Sequence, residues 1–401
     1  MHDQEHKTVL ISGASIAGPA LALWLGRLGF TPTVVELAPA LREGGQAVDF
    51  RGDTHMTVLD RMGVLPDLRR VRTGGSPMTF IDEHGRQRLH LPAEFAGGDI
   101  EVLRGDLSRV LYEHSAPYTE YLFGDSLTSL TETPTGVGVT FRHSAPREFD
   151  LVIGADGIHS HVRRLAFGPE AQYVSHLGYY AATWRLPNYL GLESGKGVTG
   201  LNTPGRLAAV GADYRDPEQA GAFLLFASPR LDYDRQDLEQ QKSLVTRAFS
   251  DLGWEVPRLL DSLRASPELY FDSISRSDVP AWSTGRIALI GDAACGATIG
   301  GMGTGTAIVA AYVLAGELAR ANGDHRAAFT RYEALLRDYA QGCQKGGDRT
   351  GPFLAPRTRR GLRLRNGLLS RPLLLNWMLK EGQKVSSIPG LPDYATSPRP
   401  V

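Results

Sequence analysis

The chain has 401 residues, 43 Lys and Arg against 44 Asp and Glu, a formal net charge of −1 and two cysteines. That length accommodates two domains and a large core, and the balanced charge gives no global reason to expect nucleic acid or an anionic membrane as partner. Cys295 and Cys343 do not make a disulfide framework, so a reducing cytoplasm is the expected location. The polar start MHDQEHK precedes an apolar run far too short for a signal or a membrane span.

Thr8-Val9-Leu10-Ile11 has the pattern of a buried parallel strand. It runs into Gly13-Ala14-Ser15-Ile16-Ala17-Gly18, after which Ala20, Leu21, Trp24, Leu25 and Leu28 recur at helical spacing. Gly29 supplies a left-handed C-cap, and Thr33-Val34-Val35 reads as a second strand ending at Glu36. Strand, glycine turn, helix and strand with a closing carboxylate form a dinucleotide site. Gly13 makes the tight turn, the helix N-terminus offers free amides to a pyrophosphate, Gly18 permits close packing, and Glu36 accepts from a ribose. Ser15 replaces the middle glycine of that fingerprint; it is small and its hydroxyl can donate to phosphate.

The glycine-rich loop 38–52 then carries Gly45, Gln46 and Ala47, with Arg42 and Arg51 toward its two ends. Thr54 to Leu68 has helical periodicity, and 78–82 with 88–91 flank the turn 83–86 as a hairpin. Arg104 introduces a helix over 107–113, and Val137-Gly138-Val139-Thr140-Phe141 is the clearest strand of a meander. Strand-to-glycine turns recur at Ile153-Gly154-Ala155-Asp156-Gly157 and at Leu289-Ile290-Gly291-Asp292. Between them, 179–186, 206–212 and 222–227 alternate as strands and 234–263 is polar and helical. From Gly303 a long small-residue helix runs to about Ala321. Arg357, Arg359, Arg360, Arg363 and Arg365 then crowd together, either a solvated helix face or a patch steering an anion.

Together, GASIAG with Glu36, IGADGIHSHVR and GRIALIGDAA resemble the three motifs of the single-component, class A FAD-dependent aromatic hydroxylases typified by para-hydroxybenzoate hydroxylase. GGQAVDFRG and AAYVLAGEL are similar to bacterial members related to tetracycline-inactivating monooxygenases. The resemblance implies an α/β fold: a Rossmann-like, GR2-type FAD-binding domain over 1–72, 98–172 and 268–350. A mostly antiparallel substrate sheet would occupy 73–97 and 173–267, with a C-terminal helical segment over 351–401. It implies non-covalent FAD, NADPH or NADH as transient reductant, O₂ as co-substrate, and an aromatic or polycyclic small molecule attacking a flavin C4a-hydroperoxide. A monomer or homodimer with no membrane span and no metal is expected.

By the same resemblance Gly13, Ser15 and Gly18 would hold the pyrophosphate and Glu36 the ribose. Arg42 and Arg104 would contact the phosphate and ribitol region, and Gly45, Gln46 and Ala47 the flavin edge. Asp156 and Gly157 belong to the motif shared between FAD and NAD(P)H, and Gly291 and Asp292 would meet the ribityl hydroxyls. Gly303, Thr304 and Gly305 would face the flavin pyrimidine, where a helix N-terminus stabilises the reduced, anionic ring. No Ser-His-Asp triad or other certain catalytic residue is found. Tyr180, Trp184, Asn202 and Phe226 are candidates for a substrate wall, or ordinary core.

The run 291–305 departs from the family: it is one residue shorter, lacks proline, and has Gly305 where Asn is common. It leads us to expect a loose cover, ordered mainly by substrate, that leaks reducing equivalents as hydrogen peroxide. Cys295 reads as a small packed residue or a reactive thiol. A halogenase would carry W-x-W-x-I-P, whose first Trp is missing from Ala182-Thr183-Trp184-Arg185-Leu186-Pro187. A reductase or dehydrogenase on the same fold, or a flavin-binding protein without turnover, would carry the same three motifs.

Overall fold

A computed structural model describes residues 7–42, 45–300, 302–375, 387–388 and 390–394. Parts of the 351–401 segment and Gly301 of the 291–305 run therefore lie outside the described residues.

Thr8–Ser12 (β1) passes through the glycine turn into Ala17–Arg27 (α1) and Thr31–Glu36 (β2), with Gly29 at φ 88° just beyond the helix. Ala47–Phe50 (β3) follows, and the periodic stretch after it divides into Gly52–Met62 (α2) and Leu65–Arg70 (α3). Gly63, at φ 73°, ends α2 in the left-handed conformation that only glycine adopts readily. The hairpin is Met78–Ile81 (β4) and Gln87–Leu91 (β5), followed by the single turn Glu94–Gly97 (α4), Ile100–Leu103 (β6) and Arg104–Ser115 (α5).

Glu120–Phe123 (β7), Leu127–Glu132 (β8), Val137–Phe141 (β9) and Arg147–Phe149 (β10) lead to Leu151–Gly154 (β11) and His161–Ala166 (α6). Then come Val174–Pro187 (β12), Val198–Thr203 (β13), Arg206–Ala212 (β14) and Gln219–Ala227 (β15). The polar 234–263 stretch is two helices, Leu238–Phe249 (α7) and Val256–Ala265 (α8). Tyr270–Asp278 (β16), Ser283–Thr284 (β17), Ile287–Leu289 (β18) and Cys295–Ala297 (β19) precede Gly303–Arg320 (α9), His325–Leu354 (α10) and Arg359–Leu369 (α11).

Two sheets carry the architecture. One has the order β17-β18-β11-β1-β2-β7, parallel except at the β17 edge; Leu10 pairs with Val152 on one side and Thr33 on the other. Its strands are apolar on both faces because α1 and α9 cover one face and the β8–β10 meander and α6 approach the other. Helix α9 is buried almost all round, and its Ala307, Ala310, Ala311 and Gly316 let neighbours approach closely.

The other sheet has eight strands, β19-β16-β12-β15-β14-β13-β4-β5, antiparallel apart from the β13–β4 pair. Alternation divides its side chains between two faces. Tyr180, Trp184 and Phe226 face α7 and α8 with Phe249, Leu259 and Leu263, whereas Tyr179, Phe80, Leu207 and Leu225 face Ala355 and Leu369 beyond α10 and within α11. Among the described residues no helix is long and apolar enough to cross a membrane.

The aromatic stack between the sheet and α7 is a stability element. Phe226 lies 5.8 Å from Tyr180 and 5.9 Å edge-on from Phe249. Phe226→Ala is expected to cost about 3–5 kcal/mol in urea unfolding; a loss below about 1 kcal/mol would contradict this packing.

Candidate active site

The C-terminal ends of β1, β11 and β18 lie side by side, so the three glycine turns meet along one edge of the parallel sheet. At the first turn Gly13 has φ 107°, and a Cβ on it would lie 2.6 Å from the Ala155 carbonyl oxygen of the second. A Cβ on Gly18 would lie 1.9 Å from the Gly13 oxygen. Neither position accepts a side chain. Helix α1 begins with no side-chain cap, leaving its first amides directed outward. Glu36 spans this turn, its Oε2 accepting from Ala14 N at 2.8 Å and its Oε1 from Ala38 N at 2.9 Å.

Arg104 brings the neighbouring pieces together. Its Nη2 donates to Ser15 Oγ at 3.0 Å, and its backbone N donates to the Gln46 carbonyl at 3.1 Å. The β3–β6 ladder pairs Ala47 with Leu103, which sets Gly45 against the Arg104 side chain. Arg42, Gly45, Gln46 and Ala47 are exposed on this rim.

At the third turn Asp292 is half-buried, and its Oδ1 is shut off from solvent with no hydrogen-bond partner among the described residues. A Cβ on Gly296 would lie 2.1 Å from that oxygen and a Cβ on Gly303 2.8 Å, so glycine on both sides keeps the approach open. Burial raises its pKa to about 6, with Arg104 pulling the other way. A buried carboxylate oxygen without a partner is costly, and a hydroxyl-bearing ligand would relieve it. Beside it α9 starts at Gly303-Thr304-Gly305 with no side-chain cap and no acidic residue in its first turn. Its positive end is therefore available to an anion.

His55 and Tyr339, which motif reading did not single out, support that helix end from below. His55 Nδ1 accepts from Arg51 N at 3.1 Å, so Nε2 carries the proton and donates to Tyr339 Oη at 2.7 Å. Burial lowers the His55 pKa to about 4 against the pull of Asp99, leaving the ring neutral. A Cβ on Gly305 would lie 2.2 Å from His55 Cε1. The ring thus occupies the space a side chain at 305 would need. Sequence offered only a histidine inside an amphipathic helix; its partner is 284 positions away.

The second turn is an internal joint. Asp156 Oδ2 accepts from the amides of His161 (2.8 Å) and Val162 (3.0 Å), and Oδ1 accepts from Ser160 Oγ. Gly157, at φ 78°, makes the bend. Arg163 is fully buried and donates to the Ala293 and Ile158 carbonyls, tying this turn to the one holding Asp292. His159 bonds Glu170 Oε2 at 3.0 Å and Asp272 Oδ2 at 2.9 Å. Burial works against its charge, but the two carboxylates outweigh it and raise its pKa.

The FAD binding domain family model matches residues 6–345. An uncharacterized protein of Mycobacterium tuberculosis is 42% identical over 342 residues, 84% of this chain and 91% of its own. A protein of Legionella longbeachae named flavin-dependent monooxygenase is 39% identical over 345 residues, covering 84% of this chain and 87% of its own. The crystal structure of tetracycline destructase Tet(55) superposes with a TM-score of 0.83 at 33% identity, over 96% of this chain and 99% of that one. The chain belongs to this family of flavin-dependent monooxygenases. FAD is its cofactor, and the orphaned Asp292 oxygen, uncapped helix ends and side-chain-free glycines fit that group.

In this monooxygenase the four candidates for a substrate wall divide between the faces of the large sheet. Tyr180, Trp184 and Phe226 are core behind it: the Trp184 indole donates to Ser262 Oγ at 2.9 Å, and Tyr180 Oη accepts from Leu231 N at 2.8 Å. Asn202 is on the other side, donating to the Leu354 carbonyl at 3.1 Å and accepting from Arg365. There Phe80, Tyr179, Leu91, Ile299 and Phe353 form a continuous apolar layer reaching the 298–300 loop.

The first half of the 295–305 run is bonded into the sheet, where a loose cover was expected; Gly301 lies outside the described residues. Cys295–Ala297 is strand β19, paired with β16, and Thr298 N donates to the Ser275 carbonyl at 3.0 Å. Thr298 Oγ1 accepts from Ser275 N at 3.1 Å, and Gln344 Nε2 donates to the Gly296 carbonyl at 3.3 Å. Hydrogen bonds replace the restraint that proline would give, and proline at 298 would remove one. Cys295 is a packed residue whose thiol is pushed up to about 12 by burial.

Two outcomes follow from the buried groups. Gly305→Asn is expected to weaken FAD retention at least tenfold because of the His55 ring, and adding His55→Ala to recover much of it. No recovery in the double variant would contradict the steric account. Asp292 in the cofactor-stripped protein has a raised pKa, so the folded state holds its proton more tightly than the unfolded chain. Its burial therefore costs nothing below about pH 4, and the cost grows as pH rises to 6, reaching roughly 3 kcal/mol. Stripped Asp292→Asn should unfold at higher urea than its parent at pH 7 and equally at pH 4; equality at pH 7 would remove the unpartnered carboxylate.

Proposed function

We propose that this monooxygenase uses NADPH or NADH to reduce FAD and inserts oxygen into an aromatic or polycyclic small molecule. The observation that carries the reading is the enclosed Asp292 oxygen beside the uncapped α9 terminus, in the field of Arg104. Reduced FAD would supply the difficult chemistry, activating O₂ at its C4a carbon. The chain's own residues bind, orient and exclude water.

Gly13, Gly18 and Ser15 would receive the pyrophosphate, with Arg104 adding charge, and Glu36 the adenosine ribose. Asp292 would accept from ribityl hydroxyls. The α9 amides at 303–305 would face the pyrimidine edge, where negative charge accumulates on reduction. Asp156 is committed to backbone amides, which supports a structural role near the cofactor rather than a direct bond to it. Phe353 and Ile299, the partly buried members of that layer, support a flat, largely apolar substrate beside the 298–300 loop, with the enclosed Phe80 and Tyr179 as packing behind them. The destructase named above supports a polycyclic one.

The pinned 295–298 loop supports a cover that keeps water from the reactive oxygen. Purified protein should be yellow and release FAD on denaturation. With a phenolic substrate, NADPH and ¹⁸O₂, one labelled oxygen should enter the product, and NADPH consumed should match product within about a fifth. Thr298→Ala should raise the hydrogen peroxide fraction severalfold without loss of FAD. An unlabelled product would overturn oxygen insertion; an unchanged peroxide yield in the variant would overturn the role of the loop.

A further inference from the structure

The sequence from Arg349 to Lys380 contains seven arginines and no acidic residue, in a chain whose net charge is −1. The structure separates these arginines by role. Arg357 donates to the Gly178 carbonyl at 2.9 Å and lies over the Tyr179 ring. Arg365 is buried, 4.7 Å above the Phe80 ring, and donates to the Phe353 carbonyl at 2.8 Å. Arg359, Arg360, Arg363 and Arg371 are exposed and make no ion pair among the described residues.

Apolar side chains lie among them. Leu364 is 65% exposed, Leu368 38% and Leu373 87%. Helix α11 is anchored by Arg365 and Leu369, so Arg360, Leu364 and Leu368 share one outward stripe at helical spacing, and Arg371 lies exposed just past its end. Charge alone would suffice to steer an anion in solution. Leucines held in water beside unpaired arginines have a different complement: a surface with anionic groups outside and hydrocarbon just beneath.

We propose that the outward face of α11 docks this monooxygenase on an anionic phospholipid surface, lying on the membrane without spanning it. The inner face of the same helix touches the apolar layer through Leu369 beside Leu91 and Phe80, and that layer reaches Ile299 of the loop near Asp292. Docking would set a poorly soluble substrate close to that layer, a purpose that rests on the proposed function; the docking itself does not.

The test is co-sedimentation of FAD-loaded enzyme with vesicles of phosphatidylglycerol and phosphatidylcholine or of phosphatidylcholine alone. The anionic vesicles should bind at least tenfold more enzyme, less so as salt rises. Leu364→Ser/Leu368→Ser and Arg360→Glu/Arg363→Glu should each lose most of that binding while keeping flavin absorbance and NADPH oxidation with a soluble phenol. Equal binding to both vesicles, or wild-type binding by both variants, would overturn the proposal. So would light scattering showing a dimer that the leucine variants dissociate, since the face would then be covered by a second copy. Vesicle binding is scored without turnover, so a failed oxygenation assay leaves its outcome separate.

Discussion

The arrangement depends on keeping one carboxylate oxygen, Asp292 Oδ1, out of water and without a partner among the described residues. Such a group is tolerated only if the surrounding structure is stable enough to hold it and a ligand completes it. The parallel strands β1, β11 and β18 supply that stability, because their apolar faces are covered by α1 and α9 and their glycine turns pack against one another. The close approach of Gly13 to Ala155, and of Gly296 and Gly303 to Asp292, leaves no room for β-carbons. Strain at a functional point is offset by an ordinary core elsewhere.

The same logic explains the buried charges away from Asp292. Arg163 has no ion pair among the described residues; it is committed to the Ala293 and Ile158 carbonyls and so fixes the second turn against the third. His159 joins that turn to β16 of the large sheet through Asp272. Two sheets with separate cores are thereby held at a defined separation where the apolar layer approaches the 298–300 loop. The neutral His55 ring, bonded to Tyr339, does for the α9 terminus what the charged Arg163 does for the turns: a buried, hydrogen-bonded side chain sets a backbone position.

Much of the cofactor half was legible from sequence because its signals are local. A tight turn needs glycine, a buried parallel strand needs an apolar run, and the helix that follows needs apolar residues at 3.6 spacing. The same reading found β9, whose alternation is regular, and the apolar run of β14, but missed β13, where Gly200 and Asn202 interrupt the pattern. It also joined α2 to α3 and α7 to α8, since one amphipathic pattern runs through a left-handed Gly63 or a bend near Trp254 without changing phase.

Alternation along β12 and β15 said that Tyr180, Trp184 and Phe226 share a face, but which face meets helices and which meets the cofactor loop depends on how the sheet is laid against the rest of the chain. Likewise a missing proline said that residues 295–300 were unrestrained by their own backbone, while the hydrogen bonds of Thr298 and Gln344 that restrain them come from 23 and 48 positions away. The sequence by itself determined the strand-turn-helix units and the glycines and acids that line one edge of the sheet, since those obey short-range sterics. Only the tertiary structure decided the sidedness of the large sheet, the His55–Gly305 exclusion and the bonding of residues 295–298 to β16 and α10, because each is a contact between segments whose separation along the chain carries no local signal.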